Sequence, residues 1–210
     1  MLEFRVSDAV RVYTTAAFAP LASEIKRFGA LSWHEALALF GEELVTNAMR
    51  RKVCAVRETP IGKILYLLHQ GRRLAGVTGS FHPTDAALMD DVCLRQVALM
   101  LEQAGIAIDL SVRKEAIVYA QGGRRILVVA QHAGYSVAAL RRLYKATIET
   151  NEYSELHLYT YLSPKKLEEL AQPLYAPVGR SKPLDPQRLH LHRLVPPGGS
   201  PEQAASGNLN

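Results

Sequence analysis

The sequence predicts an α+β chain, with helices gathered first and most strands later. Three observations carry that expectation. Apolar residues recur at helical spacing through most of the first 52 positions, and the period then drops to two on either side of a turn at Thr59-Pro60-Ile61-Gly62. A long amphipathic stretch from Thr84 to Gln103 follows. Beyond it lie short β-rich segments separated by turn residues.

Positions 8–28 read as a helix with Val10, Val12, Phe18, Leu21 and Ile25 apolar, bent at Pro20. Ser32, with Glu35 three residues later, forms a capping box, so a second helix starts at Trp33. Gly41 can end it in a left-handed conformation. A third helix runs over about 43–52, with Leu44, Ala48 and Met49 inward and Thr46, Asn47, Arg50 and Arg51 outward. Positions 53–57 and 63–69 read as the two strands of a hairpin, and Gly71-Arg72-Arg73-Leu74-Ala75-Gly76 closes the unit.

The helix from Thr84 to Gln103 carries a broad apolar stripe that includes Leu88, Val92, Val97 and Leu101. Strands are expected at 106–112, 116–121 and 125–131, the last two joined by a Gly122-Gly123 turn. A helix over 136–150, a strand over 155–162, and a helix over 165–171 capped by Ser163 with Pro164 at its first position complete the pattern. A proline-rich connection, 173–186, leads to a last strand at 188–195. The division is a first domain over 1–80, a linking helix over 81–105, a mixed-sheet domain over 106–195, and a disordered tail over 196–210.

At 210 residues, 48% hydrophobic and 21% charged, the chain has the composition of a folded globular protein. Cys54 and Cys93, its only cysteines, fit neither a disulfide framework nor a zinc finger and suit a reducing compartment. The N-terminal residues mix charges into their apolar positions, unlike a signal peptide, and no uncharged run is long enough to cross a membrane. A cytoplasmic location is expected. The net charge of +5 mildly favours a polyanionic partner. Between Arg50 and Arg73 the seven cations Arg50, Arg51, Lys52, Arg57, Lys63, Arg72 and Arg73 face one acid, Glu58. Such local excess is the electrostatic footprint of a nucleic-acid surface.

The segment from Ser32 to Gly76, ending Tyr66-Leu67-Leu68-His69-Gln70-Gly71-Arg72, resembles the winged helix-turn-helix of bacterial DNA-binding proteins over about 45 residues. That resemblance implies binding of double-stranded DNA, in transcriptional control or in plasmid or phage replication. Thr46, Asn47, Arg50, Arg51 and Lys52 would lie on the reading helix, and Arg57, Thr59 and Lys63 on the wing. Arg72 and Arg73 would add phosphate contacts. Winged helices also serve as protein-interaction modules, which leaves a scaffold role as the alternative. The apolar stripe from Thr84 to Gln103 is broad enough for a homodimer.

The order helix, three strands, helix, strand from Thr84 to Leu162 is similar to the PD-(D/E)XK nuclease core and to the replication-relaxation family, which joins such a core to a winged helix. In that core an acid opens the second strand and E-x-K lies on the third, and metal-assisted phosphodiester cleavage needs such carboxylates as ligands. Glu115 falls at the first of these positions, but Val129 and Gln131 replace the acid and the lysine on the third strand. The resemblance therefore implies a nuclease-like domain without catalytic residues, and no cofactor. The remaining alternative is a divergent metal-dependent nuclease using other acids, such as Asp90, Asp91, Asp109 and Glu115.

His190 and His192 alternate on the last strand and share a face, with no acid or thiol near in sequence except Asp185. Surface histidines are the expected reading. Tyr153, Tyr159 and Tyr161 read as packing residues rather than base-stacking ones, and Arg141, Arg142 and Lys145 as one basic side of a helix.

Overall fold

The computed structural model describes residues 15–78, 82–110, 116–177 and 182–197. It is a mixed α+β chain with a three-stranded antiparallel sheet and a five-stranded mixed sheet. Positions 8–14 of the first expected helix, Glu115, and 198–210 of the tail lie outside the described residues.

A single 3-10 turn, Thr15–Phe18, leads into α1, Ala19–Phe28, with Pro20 in its first turn, where the missing N–H costs nothing. Gly29, at φ 100°, ends α1 and turns the chain into β1, Ala30–Ser32. This strand is absent from the sequence reading. Its three residues are all buried, so no alternation marks them. Ser32 then caps α2, Trp33–Phe40, accepting from the Glu35 N–H at 3.4 Å and donating its hydroxyl to the Glu35 carboxylate at 2.8 Å. Gly41, at φ 76°, is the whole connection to α3, Glu42–Arg50.

The hairpin follows as β2, Cys54–Thr59, and β3, Gly62–Leu67, with Thr59 opposite Gly62 across a two-residue turn. β1 pairs with the other edge of β3, giving the order β1-β3-β2. The closing segment, given no element in the sequence reading, is helical, α4, His69–Leu74, and takes in His69, which was assigned to the strand before it. Two glycines hid it, yet Gly71 is required there because the helix presses against Val53: a Cβ would meet the Val53 carbonyl oxygen at 2.1 Å. Phe18, Leu21, Ile25, Leu31, Val45 and Leu65 are among the buried side chains at the centre of this part.

The expected linking helix is the shared core of the molecule. α5, Asp85–Gln103, capped by Thr84, packs Leu88, Met89 and Val92 against Ala30 and Ile64 of the first sheet. One turn on, Cys93, Val97, Ala98 and Leu101 pack against Ile117, Ile126 and Val128 of the second. Each such buried aliphatic side chain contributes roughly 1.5–3 kcal/mol. Its apolar stripe is thus covered within the chain, and Met100 is its one large hydrophobic side chain left exposed among the described residues.

The second sheet has the order β4-β5-β6-β7-β8. β4, Ile108–Asp109, is shorter than the 106–112 expected, of which 111–112 lie outside the described residues. β5, Ala116–Gln121, and β6, Arg124–Ala130, form a hairpin through Gly122 and Gly123, both at positive φ. From β6 onward the strands run parallel: α6, Val137–Thr147, leads to β7, Glu155–Thr160, and α7, Pro164–Tyr175, to β8, Leu189–Arg193. α7 extends through Pro173, so the first part of the expected proline-rich connection is helix. α6 and α7 cover Leu127, Val129, Leu156, Leu158 and Leu189 on one face, while α5 covers the other. Burial on both faces explains the unbroken apolar run in β6.

Candidate nucleic-acid interface

The ten residues singled out for DNA contact fall into two groups. Arg50 is the last residue of α3, and Arg51 and Lys52 follow it directly. All three are exposed, and none has an ion pair or hydrogen bond through its side chain among the described residues. Lys52 adopts φ 55°, which ends the helix and turns the chain toward Val53. Arg73, on α4, is likewise exposed, and α4 abuts Val53 through Gly71. Thr46 and Asn47 are half-buried on α3. The opposite end of α3 carries exposed Glu42 and Glu43. This acid-to-base polarity suits the helix dipole and repels phosphate from the N-terminal turn.

The hairpin residues are engaged elsewhere. Arg57 donates to the Pro83 carbonyl at 2.6 Å and to Asp85 at 3.2 Å, and its guanidinium lies 5.4 Å from the Tyr66 ring centre. The Asp85 hydrogen bond raises its already high pKa. Lys63 pairs with Glu58 across the hairpin at 3.4 Å. The Thr59 hydroxyl donates to the Gly62 carbonyl at 2.7 Å and accepts from the Ile61 N–H, so it stabilises the turn itself. Ile61 packs toward Leu88 and Met89, and a Cβ on Gly62 would lie 3.7 Å from the Pro197 carbonyl. The hairpin tip therefore lies against α5 and the chain near Pro197. Arg72 donates to the Thr78 carbonyl at 3.0 Å.

Arg72 also lines a cleft of about 500 Å³ between the two sheets, together with Lys26, Arg27, Asp90, Asp91 and Gln131. Gly29 gives Asp91 room: a Cβ there would sit 2.2 Å from its carboxylate. Asp90 accepts from the His132 backbone N–H at 2.8 Å and faces His132 Nδ1 at 2.7 Å. Of the residues weighed for a nuclease site, Gln131 reaches this cleft, Val129 packs on the α6–α7 face, and Asp109, outside the alignment, is exposed on β4. Arg141, read as part of a basic side, donates to the Lys182 and Pro173 carbonyls and ties α6 to the end of α7. Tyr159 is buried, and the Tyr161 hydroxyl donates to Gln96.

The histidines of β8 have partners that sequence proximity did not reveal. In the parallel pairing of β7 with β8, His157 lies opposite His190 and Tyr159 opposite His192. Glu155 Oε2 lies 3.1 Å from His157 Nε2 and 3.4 Å from His190 Nε2. His157 Nδ1 lies 3.2 Å from His192 Nε2, and the His192 ring stacks on Tyr159 with centroids 4.4 Å apart. Arg124 holds the other Glu155 oxygen at 2.6 Å. Burial pushes His192 down to about 4, with His157 and His190 adding to the effect. Burial also lowers His157, against its hydrogen bond to Glu155. Burial alone would raise Glu155, but His157, Arg124 and His190 together hold it below the usual carboxylate value. The readable signal was the matching pattern of the two strands, Glu-x-His in one and His-x-His in the other, each alternating with leucine.

No helix among the described residues is long and apolar enough to cross a membrane. No protein-family model matches the chain, and no curated protein or solved structure shows significant similarity to it.

Proposed function

We propose that the chain binds double-stranded DNA without enzymatic activity, in transcriptional control or in plasmid or phage replication, and that its first part is a winged helix-turn-helix. The observation that carries this reading is the run Arg50-Arg51-Lys52 at the end of α3, exposed and unpaired among the described residues. Three adjacent cations kept free of acids are available to phosphates, whose neutralisation releases counterions and drives binding. The order α1, β1, α2, α3 and hairpin, with α2 and α3 joined through one glycine, supports the winged-helix reading.

The contact surface differs from that of a projecting wing. Arg57, Thr59, Lys63 and Arg72 hold intramolecular partners, whereas Arg50, Arg51, Lys52 and Arg73 have none among the described residues. Glu42 and Glu43 turn the other end of α3 away from the backbone. DNA is therefore approached by the C-terminal end of α3, with Asn47 and Arg50 nearest the bases and Arg51, Lys52 and Arg73 on phosphates. The cleft near Asp90 is read as non-catalytic, since Gln131 lines it where the aligned pattern needs a lysine, and Val129, at the position of the acid, packs on the α6–α7 face instead.

Fluorescence anisotropy with random duplex DNA across a salt series tests this. Wild type should bind with a steep salt dependence, and Arg50→Glu/Arg51→Glu should lose binding while keeping its thermal midpoint. Absence of binding by wild type at low salt removes the proposal.

A further inference from the structure

We propose that Glu155, His157 and His190 form a binding site for one divalent transition-metal ion of the zinc class, with His192 supporting His157 from behind. The argument is independent of DNA binding and begins with the register of two strands. Parallel pairing sets His157 directly beside His190, and the two-residue period of β7 brings Glu155 onto the same face. The three donor atoms lie within 4.8 Å of one another. Two of their separations, 3.1 and 3.4 Å, are close to the roughly 3.3 Å between neighbouring ligands around a tetrahedral ion with bonds of about 2.0–2.1 Å. An ion can therefore enter with little movement of the backbone. Two imidazoles and one carboxylate favour zinc and its neighbours over magnesium or calcium, which take oxygen.

The surroundings fit an ion at His157 Nε2. Metal binding there leaves the proton on Nδ1, and Nδ1 faces His192 Nε2 at 3.2 Å. His192 is then the acceptor, a neutral ring fixed by stacking on Tyr159. A ligating histidine oriented by its second nitrogen in this way holds metal more tightly. Arg124 takes only Glu155 Oε1, leaving Oε2 to the ion. Side-chain exposures of 13% for Glu155, 14% for His157 and 33% for His190 leave one side open, so a water or another exogenous ligand can complete the coordination. The competing arrangement is a metal-free cluster in which Glu155 hydrogen-bonds His157 while His190 Nε2 donates to the Gln187 carbonyl at 3.1 Å.

The test uses untagged full-length chain stripped with a chelator and titrated with Zn2+ alone, in competition with a chromophoric chelator. One equivalent of Zn2+ is expected. His192→Phe should weaken it by about 10–100-fold, the usual effect of removing an outer-shell partner. His157→Ala/His190→Gln should abolish it. Co2+ added to the wild type should give the absorption of a four-coordinate ion with nitrogen and oxygen ligands, and no thiolate charge transfer, because Cys54 and Cys93 are buried elsewhere. This spectrum, with Zn2+-induced shifts of the His157 and His190 ring resonances, needs no variant to fold. Less than one equivalent overturns the proposal. So does an equivalent that survives the double substitution, or a thiolate spectrum.

Discussion

Arg95 of α5, 1% exposed, donates to Glu24 of α1 at 2.7 Å and to Glu35 of α2 at 3.3 Å. One guanidinium thus joins three helices, and Glu35 serves it while its other oxygen accepts from Ser32 at the start of α2. The geometry is asymmetric. Arg95 is enclosed, whereas both carboxylates keep about a third of their surface in water. Removing both acids strands a buried charge; removing the arginine releases two acids that solvent can reach. Glu24→Gln/Glu35→Gln should therefore cost about 3–5 kcal/mol, and Arg95→Met distinctly less, despite deleting the same ion pairs. Urea unfolding of both variants checks the ranking, and the reverse order would show that Arg95 is solvated on unfolding no better than in the fold.

Gly71 and Gly76 separate crowding from backbone strain. A Cβ on Gly71 would meet the Val53 carbonyl oxygen at 2.1 Å and Leu67 Cδ2 at 2.9 Å. Gly76, at φ +66°, has nothing within 4 Å. Gly71→Ala must lift α4 from Val53, and its cost should reach the upper end of the roughly 1–3 kcal/mol of overpacking. Gly76→Ala meets only the left-handed penalty of roughly 1–2 kcal/mol. Denaturation midpoints of the two variants decide it. Equal losses would mean that α4 moves freely.

The histidine cluster predicts loss of stability in mild acid. His192 faces His157 and the ring of Tyr159 on β7 and His190 on its own strand, while Glu155 holds His157 and His190, and Arg124 of β6 holds Glu155. In the fold His192 titrates at about 4 rather than at 6.5. The unfolded chain therefore takes up the proton first. Stability is full above about 6.5 and declines as pH falls toward 4, by at most about 3 kcal/mol from this residue. Glu155, held below its ordinary 4.5, loses its contribution only at lower pH still. In metal-free protein, His192→Phe keeps the stacked ring and should flatten the decline between pH 7 and 4.5. An unchanged slope in guanidinium titrations would assign the decline to other groups.

What the sequence made legible follows from where each signal resides. Local chemistry was readable: Ser32 and Ser163 cap the helices they were assigned, Thr84 and Ser136, read as first helical residues, cap theirs, and Gly122-Gly123 turns the hairpin it was assigned. Elements whose reason is distant were not. β1 is fixed by pairing with β3, and α4 by the contact of Gly71 with Val53. The same limit governed the sites. Arg50 and Arg51 could be placed on an outward helix face because that needs only a period of 3.6. The partners of Arg57 are 26 and 28 positions away, and Glu155 and His157, which face His190 and His192, lie on a different strand, so their roles depended on topology.

That topology yields the sharpest test of which cations meet DNA. Arg57 and Arg50 look equivalent in sequence, yet Arg57 is tied to Pro83 and Asp85 while Arg50 and Arg51 are free among the described residues. Each phosphate contact contributes about 0.9 to the slope of log affinity against log salt. Arg50→Ala/Arg51→Ala should lower that slope by about 1, the share of the phosphate-bound Arg51, and leave stability unchanged. Arg57→Gln should leave the slope unchanged and lower stability only slightly, since an exposed ion pair contributes little. Anisotropy titrations at four or more salt concentrations, run beside thermal unfolding, measure both quantities. A slope lowered equally by Arg57→Gln would mean that Arg57 leaves Asp85 to reach phosphate, and that the hairpin detaches from the start of α5 when DNA binds.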